Sequence, residues 1–297
     1  MTGRKILEQA LNTIAGRALD QGGFAARDNG GFRADATAWA VMALAAAGRH
    51  AELIEPARRA LATWQMPDGR VPLSRDLAET FWPTALAMLA WHGAADFDAP
   101  LKRAGRFLIE VPVLTVSDSG DRRHGPDTSL RGWPWVSGTY SWVVPTAAAL
   151  LALESSGMDG GERVVEARDL IVNRQLPSGG WNYGDTFKFG TELRPFPENT
   201  GWALNALAGH VAEADVAVSL DYLQDEASRI RTPLALSWAV LGLGTWSRRP
   251  ARSEDWLLES LGLQNRYGVY DTEVLAHVVV AFYGSGGLLS ALRSKGA

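Results

Sequence analysis

Residues 174–209, RQLPSGGWNYGDTFKFGTELRPFPENTGWALNALAG, contain the end of one helix, a turn, a loop and a second helix. The first helix, Glu162–Gln175, carries charges on one side and an apolar stripe on the other, which is the pattern of a helix with a solvent face. Gly179 and Gly180 permit a tight turn, and a Pro-containing loop follows. The second helix, ENTGWALNALAG (198–209), is charged only at its start and stops at Gly209, a residue type suited to a helix C-terminus. A helix apolar on all sides must be enclosed. The unit therefore pairs an amphipathic outer helix with an enclosed inner one.

The inner segment recurs as ADATAWAVMALAAAG (34–48), TFWPTALAMLAWHG (80–93), YSWVVPTAAALLALESSG (140–157), TPLALSWAVLGLG (232–244) and YDTEVLAHVVVAFYG (270–284). Aligned on Thr37, Thr84, Thr146, Thr200, Leu236 and Thr272, the six copies are spaced by 47, 62, 54, 36 and 36 residues. Most of that variation falls in the turns, as in repeat proteins that take insertions on one face. The other outer helices read as Ala51–Gln65, Ala99–Glu110, Asp215–Gln224 and Ser253–Gln264, with Lys5–Asp20 as the first. Alternating enclosed and half-exposed helices predict two concentric rings, and twelve of ordinary length occupy most of the 297 residues. A solenoid would need polar end caps that the sequence lacks. The expected architecture is all-α, an (α/α)6 barrel of six outer–inner helix pairs, as one domain over residues 1–297.

Composition removes several function classes. The net charge of −4 offers no basic face of the kind nucleic acids require. With no cysteine there is no disulfide, no thiolate catalysis and no Cys-ligated zinc, and the absence fits a cytoplasmic protein. The segment MTGRKILEQALNTIAGRALDQ lacks the continuous apolar core of a signal peptide. No stretch approaches the roughly 20 charge-free apolar residues of a membrane span, which leaves only peripheral membrane contact open. Neither a phosphate-cradling loop with its Lys nor a Gly-x-Ser-x-Gly elbow is present, and no cofactor is expected.

Three segments, QMPDGRV (65–71), RQLPSGGWNYG (174–184) and LQNRYGVY (263–270), resemble the Gln-x-x-x-Gly-x-Trp repeats of squalene–hopene cyclases and their relatives. The resemblance implies an α/α toroid, the fold those cyclases share with the β-subunits of protein prenyltransferases. It spans nearly the whole chain and implies fold more strongly than activity. Independently of family, Gln65, Gln175, Gln264 and Trp181 have a structural reading. Gln bonds exposed carbonyls at an outer helix end, Gly makes the turn, and Trp packs over the junction.

In such a toroid all inner helices run in one direction, and their N-termini gather at one mouth with partial positive charge. The two longest turns, Val111–Thr139 and Gly179–Pro197, open there, and long loops in compact domains are often functional. Asp35 and Glu198 sit two residues before their aligned Thr, Asp271 immediately precedes Thr272, and Glu79 lies one turn earlier in its repeat. The cyclases carry an Asp-x-Asp-Asp-Thr-Ala motif whose central Asp protonates the substrate alkene. In Arg33-Ala34-Asp35-Ala36-Thr37-Ala38, Asp35 matches that acid, while Arg33 and Ala36 replace the other two Asp. The resemblance thus implies Asp35 as proton donor, with Glu198 and Asp271 as further candidate catalytic residues. The competing reading of each is a helix-capping or first-turn acid.

Aromatic residues cluster at the same mouth: Trp39 and Trp202 in equivalent positions, with Trp82, Tyr140, Trp142 and Tyr270 at other inner-helix starts. They provide core packing, or walls that bind an apolar ligand and stabilise cations. Trp133 and Trp135 lie in a long insertion that reads as a lid. Arg33 and Arg194, with Arg75, Arg131 and Arg231, either hold an anion such as a diphosphate or pair with the mouth acids. His277, inside the sixth inner helix, reads as a core histidine, and no metal site is expected. The leading expectation is a terpenoid-cyclase-like protein that binds an isoprenoid or other apolar small molecule, with Asp35 starting a class II-type cyclisation. The alternatives are a non-catalytic toroid binding a lipid or protein partner, and a carbohydrate-active hydrolase or lyase.

Overall fold

The computed structural model describes residues 3–116 and 125–293. Among them the helices are, in chain order, α1 (Gly3–Ala15), α2 (Ala34–Ala47), α3 (Ala51–Trp64), α4 (Trp82–Trp91), α5 (Asp98–Glu110), α6 (Val143–Ser155) and α7 (Glu162–Asn173). They continue as α8 (Pro197–Leu207), α9 (Glu213–Arg229), α10 (Pro233–Thr245), α11 (Ser253–Leu261), α12 (Gln264–Tyr267), α13 (Thr272–Tyr283) and α14 (Leu288–Arg293). Between α7 and α8, β1 (Phe187–Lys188) and β2 (Thr191–Glu192) form a short antiparallel ribbon.

Helices α2, α4, α6, α8, α10 and α13 pack in that order, and α13 returns to α2, which closes the inner ring. Each outer helix bridges two inner neighbours: α3 over α2 and α4, α5 over α4 and α6, α7 over α6 and α8, and α9 over α8 and α10. Helix α11 bridges α10 and α13, and α1 bridges α13 and α2. The apolar sequence of the inner helices matches this enclosure; in α2 every residue except Ala45 is buried. Small residues set how closely the ring packs. A Cβ on Gly201 of α8 would lie 2.1 Å from the Trp238 carbonyl oxygen of α10, so Gly at this position lets the two backbones meet. Expected boundaries agree closely except at α9, which runs well past Gln224, and α1, which ends at Ala15, before a turn that reaches Asp20.

The aligned threonines pin the turns. Thr37 Oγ1 accepts from the Phe24 N–H (2.9 Å), Thr84 from Val71 (3.0 Å), Thr146 from Trp133 (2.8 Å) and Thr200 from Trp181 (3.0 Å). Each satisfies a buried donor in the segment leading into its helix, which explains why a hydroxyl recurs within an apolar helix. Gln65 Nε2 donates to the carbonyls of Gly69 and Pro100, and Trp181 Nε1 donates to Ile171 O. The Gly69 backbone is left-handed (φ 98°), and a Cβ there would lie 2.3 Å from Arg103 O of α5.

Ring closure uses different contacts. Thr272 Oγ1 donates to Ala25 O (2.6 Å), the Thr272 N–H donates to Ala26 O, and buried Arg17 donates to Tyr270 O while pairing with Asp28 at 2.8 Å. Among the described residues no helix is long and apolar enough to cross a membrane.

Candidate functional site

A cavity of about 210 Å³ lies on the ring axis, lined by residues from the first two turns of all six inner helices. It is therefore at the end where those helices begin. One half of its wall is apolar: Trp39 of α2, Trp82 and Leu86 of α4, and Val144, Pro145 and Ala148 of α6. The other half carries the polar groups: Glu198 and Asn199 of α8, Trp238 of α10, and Glu273 and His277 of α13. Trp135 and Tyr183, from the two long loops, complete the rim. The first loop is strapped to the start of α4 by Phe81 N–H donating to Trp135 O (3.0 Å) and Ser137 N–H donating to Glu79 O (2.8 Å). Residues 117–124 of the Val111–Thr139 turn lie outside the described residues.

The floor is aromatic. Trp202 stacks on Trp238 with ring centroids 3.6 Å apart, Trp39 meets both edge-on, and His277 lies 3.8 Å from Trp39. Trp82 and Trp135 form a second edge-on pair at 5.8 Å. Such rings present negative faces to any cation that forms between them.

Glu273 is the chemically distinctive group. Burial first, and then the nearby Asp35 and Asp271 charges, push its carboxyl up to about 8 against the opposing pull of Arg33. A hydrogen bond with the Asp35 carboxyl also favours the protonated form of Glu273. Asp35 itself is buried and paired with Arg33, whose Nε and Nη2 reach its two oxygens at 3.0 and 2.6 Å. One turn along α13, burial pushes His277 down to about 4, against its hydrogen bond to the Glu273 carbonyl (2.7 Å). A carbonyl only accepts, so Nδ1 carries the proton and Nε2 keeps its lone pair. Two neutral donors in the lining, Asn199 Nδ2 and Trp238 Nε1, are buried without a hydrogen-bond acceptor. Leaving such a group unpaired costs about 1–3 kcal/mol.

The chain is similar to the type II terpene cyclase MstE from Scytonema in complex with geranylgeranyl dihydroxybenzoate, at a TM-score of 0.60 and 13% identity, covering 98% of each chain. The chain thus has the α/α toroid fold of that structure. The toroid is also similar to a protein from Actinoplanes (TM-score 0.61, 15% identity, 97% of this chain and 99% of that one). A novel alpha-amylase from Clostridium perfringens matches at a TM-score of 0.59 and 10% identity, covering 95% of this chain and 98% of the other. No protein-family profile and no curated protein matches the sequence. At these identities the likeness is one of fold.

The toroid brings some of the expected site residues together and not others. Trp39, Trp82, Trp135, Trp202 and Glu198 meet at the cavity. Asp35 lies beside it, behind Glu273, and does not line it. Asp271 caps α13, accepting from the Val274 N–H at 2.9 Å. Tyr270 is buried on the outer side, its hydroxyl donating to Ser260 O (2.9 Å). Tyr140 and Trp142 border a separate pocket with Arg174 and Asp185. Trp133 is an anchor and not part of a lid: its Nε1 donates to Leu108 O (2.9 Å) and the Arg163 guanidinium covers its ring.

Of the two readings of the arginines, an anion site or pairing with acids, the contacts favour pairing. Arg33 pairs with Asp35, Arg131 with Glu166 and Arg231 with Glu259; Arg75 lies over Trp64, and Arg194 is exposed. No Arg or Lys lines the cavity. Glu273, Asn199, Trp238 and the cavity-facing position of His277 were not anticipated. Trp238 had a signal: it follows Leu236 by two, as Trp39 and Trp202 follow their threonines. Among the described residues no cluster of three His, Asp or Glu is placed to hold a metal.

Proposed function

We propose that the axial cavity binds a small isoprenoid or isoprenoid-like molecule and starts its rearrangement by protonation, with Glu273 as the donor. The observation that carries this reading is a cavity-lining carboxyl, pushed up to about 8, across from an aromatic wall. A general acid works best with a pKa near the operating pH, which suits Glu273 at neutrality. Its Oε–H bond breaks as the substrate takes the proton, and the cation formed lies among Trp39, Trp82, Trp135 and Trp202. Glu198 supplies a carboxyl in the same lining to which a proton can later be returned. In this scheme Asp35, the acid implied by the family motif, acts through Glu273. Its charge keeps the neighbouring carboxyl protonated, and Arg33 fixes its position.

The small volume favours short-chain substrates, since ligand pockets commonly measure about 300–1,000 Å³. The apolar half-wall disfavours a sugar. The test is turnover of a panel of short-chain isoprenoids by the wild type, Glu273→Gln and Asp35→Asn. Glu273→Gln should lower the rate by roughly 10²–10⁴. Asp35→Asn removes a charge that raises Glu273, so the alkaline fall in activity should move to lower pH. Full activity in Glu273→Gln refutes the assignment. A substrate that binds the wild type and is recovered unchanged favours the non-catalytic binding toroid instead.

A further inference from the structure

Among the described residues, buried side-chain nitrogens without an acceptor fall into two groups. One consists of guanidinium nitrogens: Arg70, Arg163 and Arg174 each have a partner through another atom of the side chain, and Arg168 Nη2 lies in ion-pair range of Asp159, at 3.6 Å. The other consists of Asn199 Nδ2 and Trp238 Nε1, the only uncharged members, and both residues line the axial cavity. Asn199 is 1% exposed and Trp238 is fully buried, so bulk water does not satisfy them. They stand on the adjacent inner helices α8 and α10, within the polar half of the wall. Buried donors are normally paired, and an unpaired set at a cavity wall marks where a ligand's acceptor belongs.

We propose that the cavity is built for an apolar molecule carrying an uncharged oxygen acceptor, received by Asn199 Nδ2 and Trp238 Nε1. This deepens the reading of the cavity as an isoprenoid site and rests on it. A hydrocarbon leaves both donors unpaired, whereas a carbonyl or ether oxygen, with two lone pairs, can take both. An anionic head is disfavoured on charge: the lining contains Glu198 and no basic side chain. The apolar body of the ligand lies against α2, α4 and α6, where Leu86, Val144 and Ala148 offer no polar side-chain atom. The same placement suits the chemistry. A carboxyl held near 8 is a weak acid, better matched to a basic oxygen than to an alkene carbon.

The test compares two isosteric ligands: the unsaturated ketone methylheptenone, and the diene in which a methylidene group replaces its carbonyl oxygen. Affinity is read by calorimetric titration of the wild type, Asn199→Leu and Trp238→Phe. The wild type should bind the ketone about tenfold or more tightly than the diene. Each variant should lose that preference, its ratio of ketone to diene affinity falling towards one, each ratio being read within a single protein. Equal affinity of the wild type for the two ligands overturns the inference and leaves the isoprenoid reading standing; this comparison needs no variant to fold. A preference that survives in both variants overturns the assignment to these two donors. Failure of the wild type to bind either ligand overturns the isoprenoid reading together with the inference.

Discussion

Glu273 and His277 are one turn apart on α13, and burial moves both towards their neutral forms, with opposite consequences for stability. Glu273 is raised from 4.5 to about 8, so the stability it contributes is complete below its unfolded value and is lost as pH rises through about 8. His277 is lowered from 6.5 to about 4, so stability is lost as pH falls from about 6.5 through about 4. Each limb has a slope of roughly 1.4 kcal/mol per pH unit, and the two cancel where they overlap. These groups together place the stability plateau between about 4.5 and 6.5. Denaturant titrations from acid to mildly alkaline pH should show Glu273→Gln keeping the acid decline and losing the decline above about 6.5. Parallel curves for wild type and variant on the alkaline side would show that Glu273 is ionised in the folded protein.

At the scale of helices and turns, the repeat is held by a hydroxyl in the inner helix and a glycine in the turn. Thr146→Val leaves the buried Trp133 N–H without its acceptor and should cost about 1–3 kcal/mol. Gly69→Ala forces a side chain into a left-handed position against Arg103 O and should cost at least as much, about 1–3 kcal/mol from the backbone alone. Urea midpoints of the two variants check both; an unchanged midpoint would deny that position a role in the repeat. These devices were legible because they recur: Thr37, Thr84, Thr146 and Thr200 hold the same register, and apolar periodicity separates inner from outer helices. The register also located Trp39 and Trp202 and, carried to the fifth repeat, locates Trp238. The acid was not legible. Glu273 reads as an ordinary first-turn carboxylate, and its character depends on Asp35 and Arg33, which α2 brings in from the opposite end of the sequence. Nor does spacing reveal that Asn199 lacks an acceptor, which depends on every neighbour around it.

At the scale of the whole molecule, the ring depends on the seam where α13 meets α2 and α1. Arg17 occupies it, buried, paired with Asp28 and donating to Tyr270 O. Arg17→Met removes the pairing and leaves that carbonyl without its charged donor, a loss of about 1.5–3 kcal/mol for a hydrogen bond to a charged group. The melting temperature should fall, and amide hydrogen exchange should accelerate first in α1 and at the start of α13; uniform acceleration over the ring would argue against a local weak point. The seam also orders the route by which the chain reaches its final form. Successive hairpins of outer and inner helices can assemble locally, but the α13–α2 interface joins the most distant parts of the sequence and carries the largest loop-closure entropy. Trp39, Asp35 and Arg33 come from one side of that interface, and Glu273 and His277 from the other. The site is thus absent from any partly assembled state in which these two helices have not yet met.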